Sequence, residues 1–379
     1  MKPSIPLSVP HLGGNELAYL RACVESNYVS SVGEFVSSFE REFAAYVGAE
    51  HAVACASGTA ALHVALLLAD AGPGRVVAVS TFTFVASVNA VAYTGATPLL
   101  VDSERETWNL DGQRLHDAVT ARAARGLPLP SVIELVHIYG HPADIDPLLD
   151  LRDRYGIALV EDAAEALGAV YERAPLAGRH VGTIGELGCF SFNGNKILTT
   201  GGGGMIVTDD GARAEAARHL TTQAKLPGRA HVHDRIGFNY RMTNIAAAIG
   251  RAQLEQLPRF LEARRAITKR YDAALAGHQR LAGPPCAPWA SPNHWLYCLL
   301  CDTEALRDSL LAALAADAIE ARPGWVPAHR QAPYVTSPRL GGDVADEFGR
   351  RALSLPSSVA LTEDEQDRVI GVILGVVDG

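Results

Sequence analysis

Ala158-Leu-Val-Glu-Asp162 is a five-residue run, apolar at its start and acidic at its end, followed by Ala163-Ala164-Glu165. A short apolar run bounded by polar residues reads as a strand covered on both faces. Working outward, His51–Ala56, Val76–Ser80, Thr97–Asp102 and Ser131–His137 read the same way. Helical patterns separate them, at 59–71, 84–93, 112–124 and 146–155. Buried strands alternating with helices predict an α/β fold, with a mostly parallel sheet between helical layers. Two more strand-like runs, Cys189–Asn193 and Met205–Thr208, enclose Gly201–Gly204.

Further along, a helical stretch at 210–224 and a polar loop at 225–237 precede a long helical pattern from Thr243 to Ala274, with Thr243 as its N-cap. The proline-dense Gly283–Pro292 reads as an ordered connector. Beyond it come a strand at 294–301, a helix at 303–316, a loop at 322–334 and a last helix at 361–377. The expected organisation is a large α/β domain over 1–245, then a bridging helix and a smaller α+β domain over 246–379.

A chain of 379 residues buries enough surface to need no disulfide or metal staples. Its net charge of −9 argues against a nucleic-acid partner. The most apolar stretch, Ala60–Ala69, is too short to span a membrane, and the first residues lack the apolar core of a signal peptide. A cytoplasmic protein with no membrane partner is expected. Of six scattered cysteines, Cys298 and Cys301 form a C-x-x-C inside an apolar run. Positions i and i+3 of a strand face opposite sides, so buried thiols are expected rather than a metal site. Four lysines (Lys2, Lys196, Lys225, Lys269) stand against 29 arginines. Codon bias explains the arginines; a lysine kept in such a chain marks chemistry that a permanently charged guanidinium cannot perform.

Three features fall where open α/β sheets bind ligands, at carboxyl ends of strands and helix N-termini. In Ala56-Ser57-Gly58-Thr59-Ala60 a strand turns into a helix, and glycine, hydroxyls and free N–H groups suit a phosphate as well as an ordinary cap. Asp162 ends a buried strand, where a carboxylate wants a cation or serves as a helix cap. Lys196, in Ser191-Phe192-Asn193-Gly194-Asn195-Lys196, lies beside a glycine-rich turn, and lysine is the side chain that forms a Schiff base. A phosphate cradle, a buried carboxylate for a ring nitrogen and a lysine are together what pyridoxal 5′-phosphate requires. Phe84 could stack on its ring or pack in the core.

The ordered motifs S-G-T (57–59), T-F-T-F-V-A (81–86), V-E-D-A-A-E-A-L-G-A (160–169), S-F-N-G-N-K (191–196) and G-F-N-Y-R-M-T-N (237–244) resemble the DegT/DnrJ/EryC1/StrS family of sugar aminotransferases, of fold type I. The resemblance extends through Tyr28–Gly33, Val136–Asp144 and Arg322–His329. It implies a large domain with a mostly parallel mixed sheet, a smaller α+β domain, and pyridoxal 5′-phosphate cycling through pyridoxamine 5′-phosphate. It implies Lys196 as the Schiff-base lysine and Asp162 as partner of the pyridinium nitrogen. Gly58, Thr59 and Ser191 would hold the phosphate, Phe84 would stack, and Glu165 would lie near the cofactor's hydroxyl. Asn239 would reach the phosphate of the other subunit, making a homodimer with shared active sites.

The implied reaction moves the amino group of L-glutamate to C4 of a nucleotide-linked 4-keto-6-deoxy sugar. The expected substrate is UDP-2-acetamido-4-keto-2,6-dideoxyhexose, for surface-glycan or nonulosonic-acid-type sugars. GDP-4-keto-6-deoxymannose, as in perosamine synthases, and a 3-keto sugar are the alternatives. A non-catalytic regulator on the same fold is the competing class; a nicotinamide dehydrogenase would need a G-x-G-x-x-G that Ala56–Ala61 does not supply. His137, His329 and Arg322 are left open between lining the sugar site and core or surface roles.

Overall fold

The computed structural model describes residues 3–228 and 230–378; Lys2 lies outside the described residues. The apolar runs become strands because helices cover both faces of the sheet they form. These are β1 (His51–Cys55), β2 (Val76–Ser80), β3 (Thr97–Val101), β4 (Val132–Val136) and β5 (Ala158–Asp162). Leu187–Ser191 and Gly204–Thr208 join them. The sheet order is β1, 204–208, 187–191, β5, β4, β2, β3, with Arg339–Leu340 added at the far edge. Only Gly204–Thr208 runs antiparallel to its neighbours; every other pairing is parallel.

One face is covered by helices Glu34–Val47, Gly112–Ala124, Asp146–Tyr155 and Asn244–Leu254, the other by Gly58–Leu68, Val85–Tyr93 and Gly211–Thr221. The latter face is apolar with small residues: Ala61, Ala65, Ala90, Ala214 and Ala217 let helices sit close to Val53, Val77, Val79 and Val160. Thr243 caps its helix as expected, accepting the Ala246 N–H at 3.3 Å. The single bridging helix expected from Thr243 to Ala274 is instead two, Asn244–Leu254 and Leu257–Leu275. Pro258 explains the break, since proline has no N–H and its ring clashes with the carbonyl four residues back. It is tolerated here because it falls in the first turn of the second helix.

A second sheet, antiparallel, pairs Arg322–Pro323, Ala352–Leu355, Tyr297–Cys301 and Leu281–Ala282 in that order. Helices Leu257–Leu275, Glu304–Ala316 and Glu363–Val377 share its core. Cys298 and Cys301 are both buried and belong to different apolar clusters, in keeping with opposite faces of one strand. A further cluster, aromatic in character, holds Phe82, Trp108, Tyr139, Trp295 and Phe348. The helices Glu16–Glu25 and Glu34–Val47 and the helix Asp343–Arg351 were not anticipated. Among the described residues no helix is long and apolar enough to cross a membrane.

Candidate active site

The carboxyl ends of β1, β2, β4, β5 and Leu187–Ser191 open toward one cavity of about 600 Å³. Seven of the eight expected residues line it: Gly58, Thr59, Phe84, Asp162, Glu165, Ser191 and Lys196. Asn239 does not. Its side chain is exposed and its backbone bridges Thr222, so nothing within one chain brings it to this cavity.

Ser57 caps helix Gly58–Leu68 by accepting the Ala60 N–H at 3.1 Å. The helix N-terminus, with its unsatisfied first N–H groups and positive dipole end, forms one wall. A Cβ on Gly58 would stand 2.7 Å from Ser191 Cβ, so only glycine leaves that corner open. Gly204, one strand over, abuts the Ser57 carbonyl as closely, at 2.4 Å from its own imagined Cβ.

Asp162 is 4% exposed. Ser87 Oγ donates to its Oδ2 at 2.7 Å, and the Ala164 N–H donates to Oδ1 at 3.0 Å. Thr83 Oγ1 lies 2.9 Å behind Ser87 Oγ, a chain of hydroxyls ending on the carboxylate. Burial pushes the Asp162 carboxyl up; the Ser87 and Ala164 hydrogen bonds and the Lys196 charge oppose it. Glu165 takes the Tyr139 N–H on Oε2 at 2.8 Å and Lys196 Nζ on Oε1 at 3.2 Å. Burial raises it too, against the Lys196 charge and the Tyr139 N–H. Tyr139 offers that N–H from a left-handed backbone, φ 51°, unusual for an aromatic residue.

Four aromatic rings form the remaining wall. Trp325 stacks on Tyr139 with centroids 4.7 Å apart and meets Phe84 at 6.1 Å. Trp295 lies 6.4 Å from Tyr139 and carries Lys196 Nζ 3.9 Å from its ring centre. Phe84, at 54% exposed, is free to meet a ligand, so core packing is not its role. Ser57, Ser87, Trp295 and Trp325 line the site as well; Ser57 stands inside the S-G-T motif, whereas the sequence assigned no role to Ser87 or the two tryptophans.

The three residues left open separate cleanly. His137 is fully buried away from the cavity, with Nε2 2.9 Å from Glu161 Oε2. Glu161 also accepts N–H bonds from Gly182, Ile184 and Gly185 at 2.7–2.8 Å. Burial pushes Glu161 up, but the His137 contact and these N–H groups outweigh it and hold the carboxyl below its usual range. His329 is held between Thr81 Oγ1 at 2.8 Å and Asp346 Oδ1 at 3.1 Å. Arg322 does line the cavity, from an exposed position.

This donor set fits pyridoxal 5′-phosphate. A glycine-cornered helix N-terminus suits its phosphate, a buried aspartate with two hydrogen bonds suits a protonated ring nitrogen, and a lysine of 12% exposed side chain suits its aldehyde. Fold and site together define a pyridoxal 5′-phosphate-dependent enzyme of fold type I. The chain belongs to the DegT/DnrJ/EryC1/StrS aminotransferase family, whose profile matches residues 10–374. It is 42% identical over 380 residues to EpsN of Bacillus subtilis, covering 99% of this chain and 96% of that one. It is 41% identical over 374 residues to the GDP-perosamine synthase of Caulobacter vibrioides, covering 98% of each. A family aminotransferase from Brucella abortus superposes with a TM-score of 0.89 at 31% identity, over 96% of both chains.

Proposed function

We propose that this aminotransferase moves the amino group of L-glutamate to C4 of a nucleotide-linked 4-keto-6-deoxy sugar. The observation that carries the proposal is the meeting of Lys196, Asp162 and the Gly58 helix N-terminus in one cavity, in a chain of this family. Between the two nucleotide sugars expected from the sequence, relatives named GDP-perosamine synthase favour GDP-4-keto-6-deoxymannose over the UDP-linked acetamido sugar. The UDP sugar stays as the second reading, resting on Glu165 and the Asn-Gly-Asn-Lys context of Lys196.

When bound, pyridoxal 5′-phosphate supplies an aldehyde that condenses with amines and a ring that accepts the electron pair of a breaking C–H bond. Ser57, Gly58, Thr59 and Ser191 would hold its phosphate. Asp162 would keep a proton on the ring nitrogen, and Phe84 would cover the ring. Lys196 Nζ would anchor the aldehyde, and its amine would take and return the proton that moves during amine transfer. Glu165 Oε1 is the acceptor next to that amine. The aromatic wall of Tyr139, Trp295 and Trp325 keeps water from the reacting atoms, and Arg322 offers a cation at the rim for a diphosphate.

On this reading the enzyme works as a homodimer, with Asn239 of each chain completing the phosphate site of the other; an exposed asparagine outside its own cavity supports it. It works in the cytoplasm, a reducing compartment compatible with six unpaired cysteines. The division into 1–245 and 246–379 is likewise our reading of how the chain is partitioned. Incubating the enzyme with glutamate and UDP-, GDP- or dTDP-linked keto sugars, read by mass spectrometry, tests the substrate. Amination of none of them would refute the proposal; amination of the UDP acetamido sugar alone would reverse the choice of nucleotide. Asn239→Ala with unchanged cofactor affinity would refute the shared site.

A further inference from the structure

We infer that Trp295 is a positioning residue for the Lys196 amine. The ring centre stands 3.9 Å from Lys196 Nζ, on an amine that also meets Glu165 Oε1 at 3.2 Å. An ammonium is drawn to an indole face by the ring quadrupole, most strongly where water is excluded. Little of either group is open to water: Trp295 is 3% exposed and the Lys196 side chain 12%.

The ring itself is pinned from several directions. Its indole N–H donates to the carbonyl of Asn195, the residue before the lysine, at 2.7 Å. Its main-chain N–H donates to Asn293 Oδ1 at 2.9 Å, and the Asn293 amide donates to the carbonyls of Glu165 and Leu167 at 2.7 and 2.9 Å. Its carbonyl accepts from Arg264 Nη1 at 2.6 Å. That fully buried guanidinium also reaches Ser8 Oγ at 3.3 Å, and the Ser8 hydroxyl donates to the same Asn195 carbonyl at 3.1 Å. His294 enters this arrangement with φ 53°, a left-handed conformation that a side chain disfavours and that the surrounding bonds hold.

Lysine has four rotatable bonds and gains much freedom once it is not covalently engaged. The ring and Glu165 give the released amine one resting place inside the cavity, next to the atoms it must serve. The other charged or titratable side chains lining the cavity are Asp162 from the end of β5, Arg322 from the small sheet and Tyr139 after β4. Trp295 thus couples the small sheet's leading residues to the lysine on the large one.

The inference uses the Lys196 assignment proposed above and no substrate, so it is tested on cofactor-free protein. Lysines are labelled with trinitrobenzenesulfonate at one pH, and the Lys196 peptide is quantified against that of exposed Lys269. Trp295→Met, which keeps an apolar side chain and removes the ring, is expected to speed Lys196 labelling roughly 3- to 10-fold. Trp295→Phe, which keeps a ring face and loses the indole N–H, is expected to stay within twofold of wild type. Equal acceleration in both variants means a loosened structure and overturns the inference; so does no acceleration in Trp295→Met. Should Trp295→Met fail to fold, replacing the four tryptophans by trifluorotryptophan preserves shape and weakens the quadrupole. Acceleration is then expected, and its absence overturns the inference. Labelling reads the same way whichever sugar the enzyme aminates.

Discussion

Ser87→Ala is expected to weaken cofactor binding although Ser87 is assigned no contact with the cofactor. The hydroxyl donates to Asp162 Oδ2 at 2.7 Å in a buried setting. A hydrogen bond to a charged group contributes about 1.5–3 kcal/mol. Since 1.36 kcal/mol is tenfold, the ionised Asp162 loses about 10- to 100-fold in its favour. The sign follows from the carboxyl's surroundings: burial raises it, and the Ser87 bond is the largest opposing influence. Removing that bond moves Asp162 further up, so it protonates at a higher pH than in the wild type. The assay is titration of cofactor-free protein with pyridoxal 5′-phosphate, followed by absorbance. A Kd roughly tenfold weaker is expected at neutral pH, with the gap widening toward acid. Thr83→Val, one step further along the hydroxyl chain, is expected to act in the same direction and less. Equal Kd values for Ser87→Ala and wild type, at neutral pH and at the acid end of the stable range, would refute the reasoning.

Lys196→Arg keeps a cation beside Glu165 but removes the only amine in the cavity among the described residues; cofactor-linked absorbance is expected to vanish and turnover to fall roughly 10³-fold or more, with circular dichroism unchanged. Glu161→Gln puts an NH2 group where four donors converge and is expected to cost about 3 kcal/mol at neutral pH by denaturant titration. Because Glu161 lies below its usual range when folded, that stabilisation is full above the ordinary glutamate value and is lost as pH falls through the folded one, so wild type and variant converge in acid. Glu134 is completely buried on β4 with neither carboxyl oxygen partnered, and burial, then the Asp162 charge, push it well above the usual range. Glu134→Met removes an unsatisfied acid at similar volume and is expected to stabilise by about 1–3 kcal/mol, read as a raised Tm.

The large sheet was legible because its strands are short, continuous and apolar, as a two-sided burial demands; β2 and β5 begin and end where the pattern does. Gly58 and Asp162 were legible for a related reason, standing at or just past the end of such a run; Lys196 was legible because lysine is rare in this chain. Trp295 and Trp325 were not given a role, because they reach the cavity from segments about 100 or more residues downstream, where nothing local distinguishes a site-facing tryptophan from a core one. His137 illustrates the reverse error open to any sequence reading. It follows β4 directly at its carboxyl end, the right place for a ligand, yet its ring turns to Glu161 in the core. Pro258 carried a visible signal that periodicity alone overrode, since apolar spacing continues through the break between the two helices.

Arg339–Leu340 forms the outermost strand of the large sheet, pairing with Leu100 and Val101 of β3. Its consequence appears during synthesis. The other strands of that sheet are all made by residue 208, but β3 keeps one row of peptide groups open until residue 340 leaves the ribosome. For those 130-odd residues the nascent protein displays an unpaired parallel edge, the kind of surface that recruits chaperones or neighbouring chains. Emergence of residues 339–340 is therefore the moment at which Leu100 and Val101 gain their outer partners, and a chain cut short before residue 339 would carry the open edge permanently.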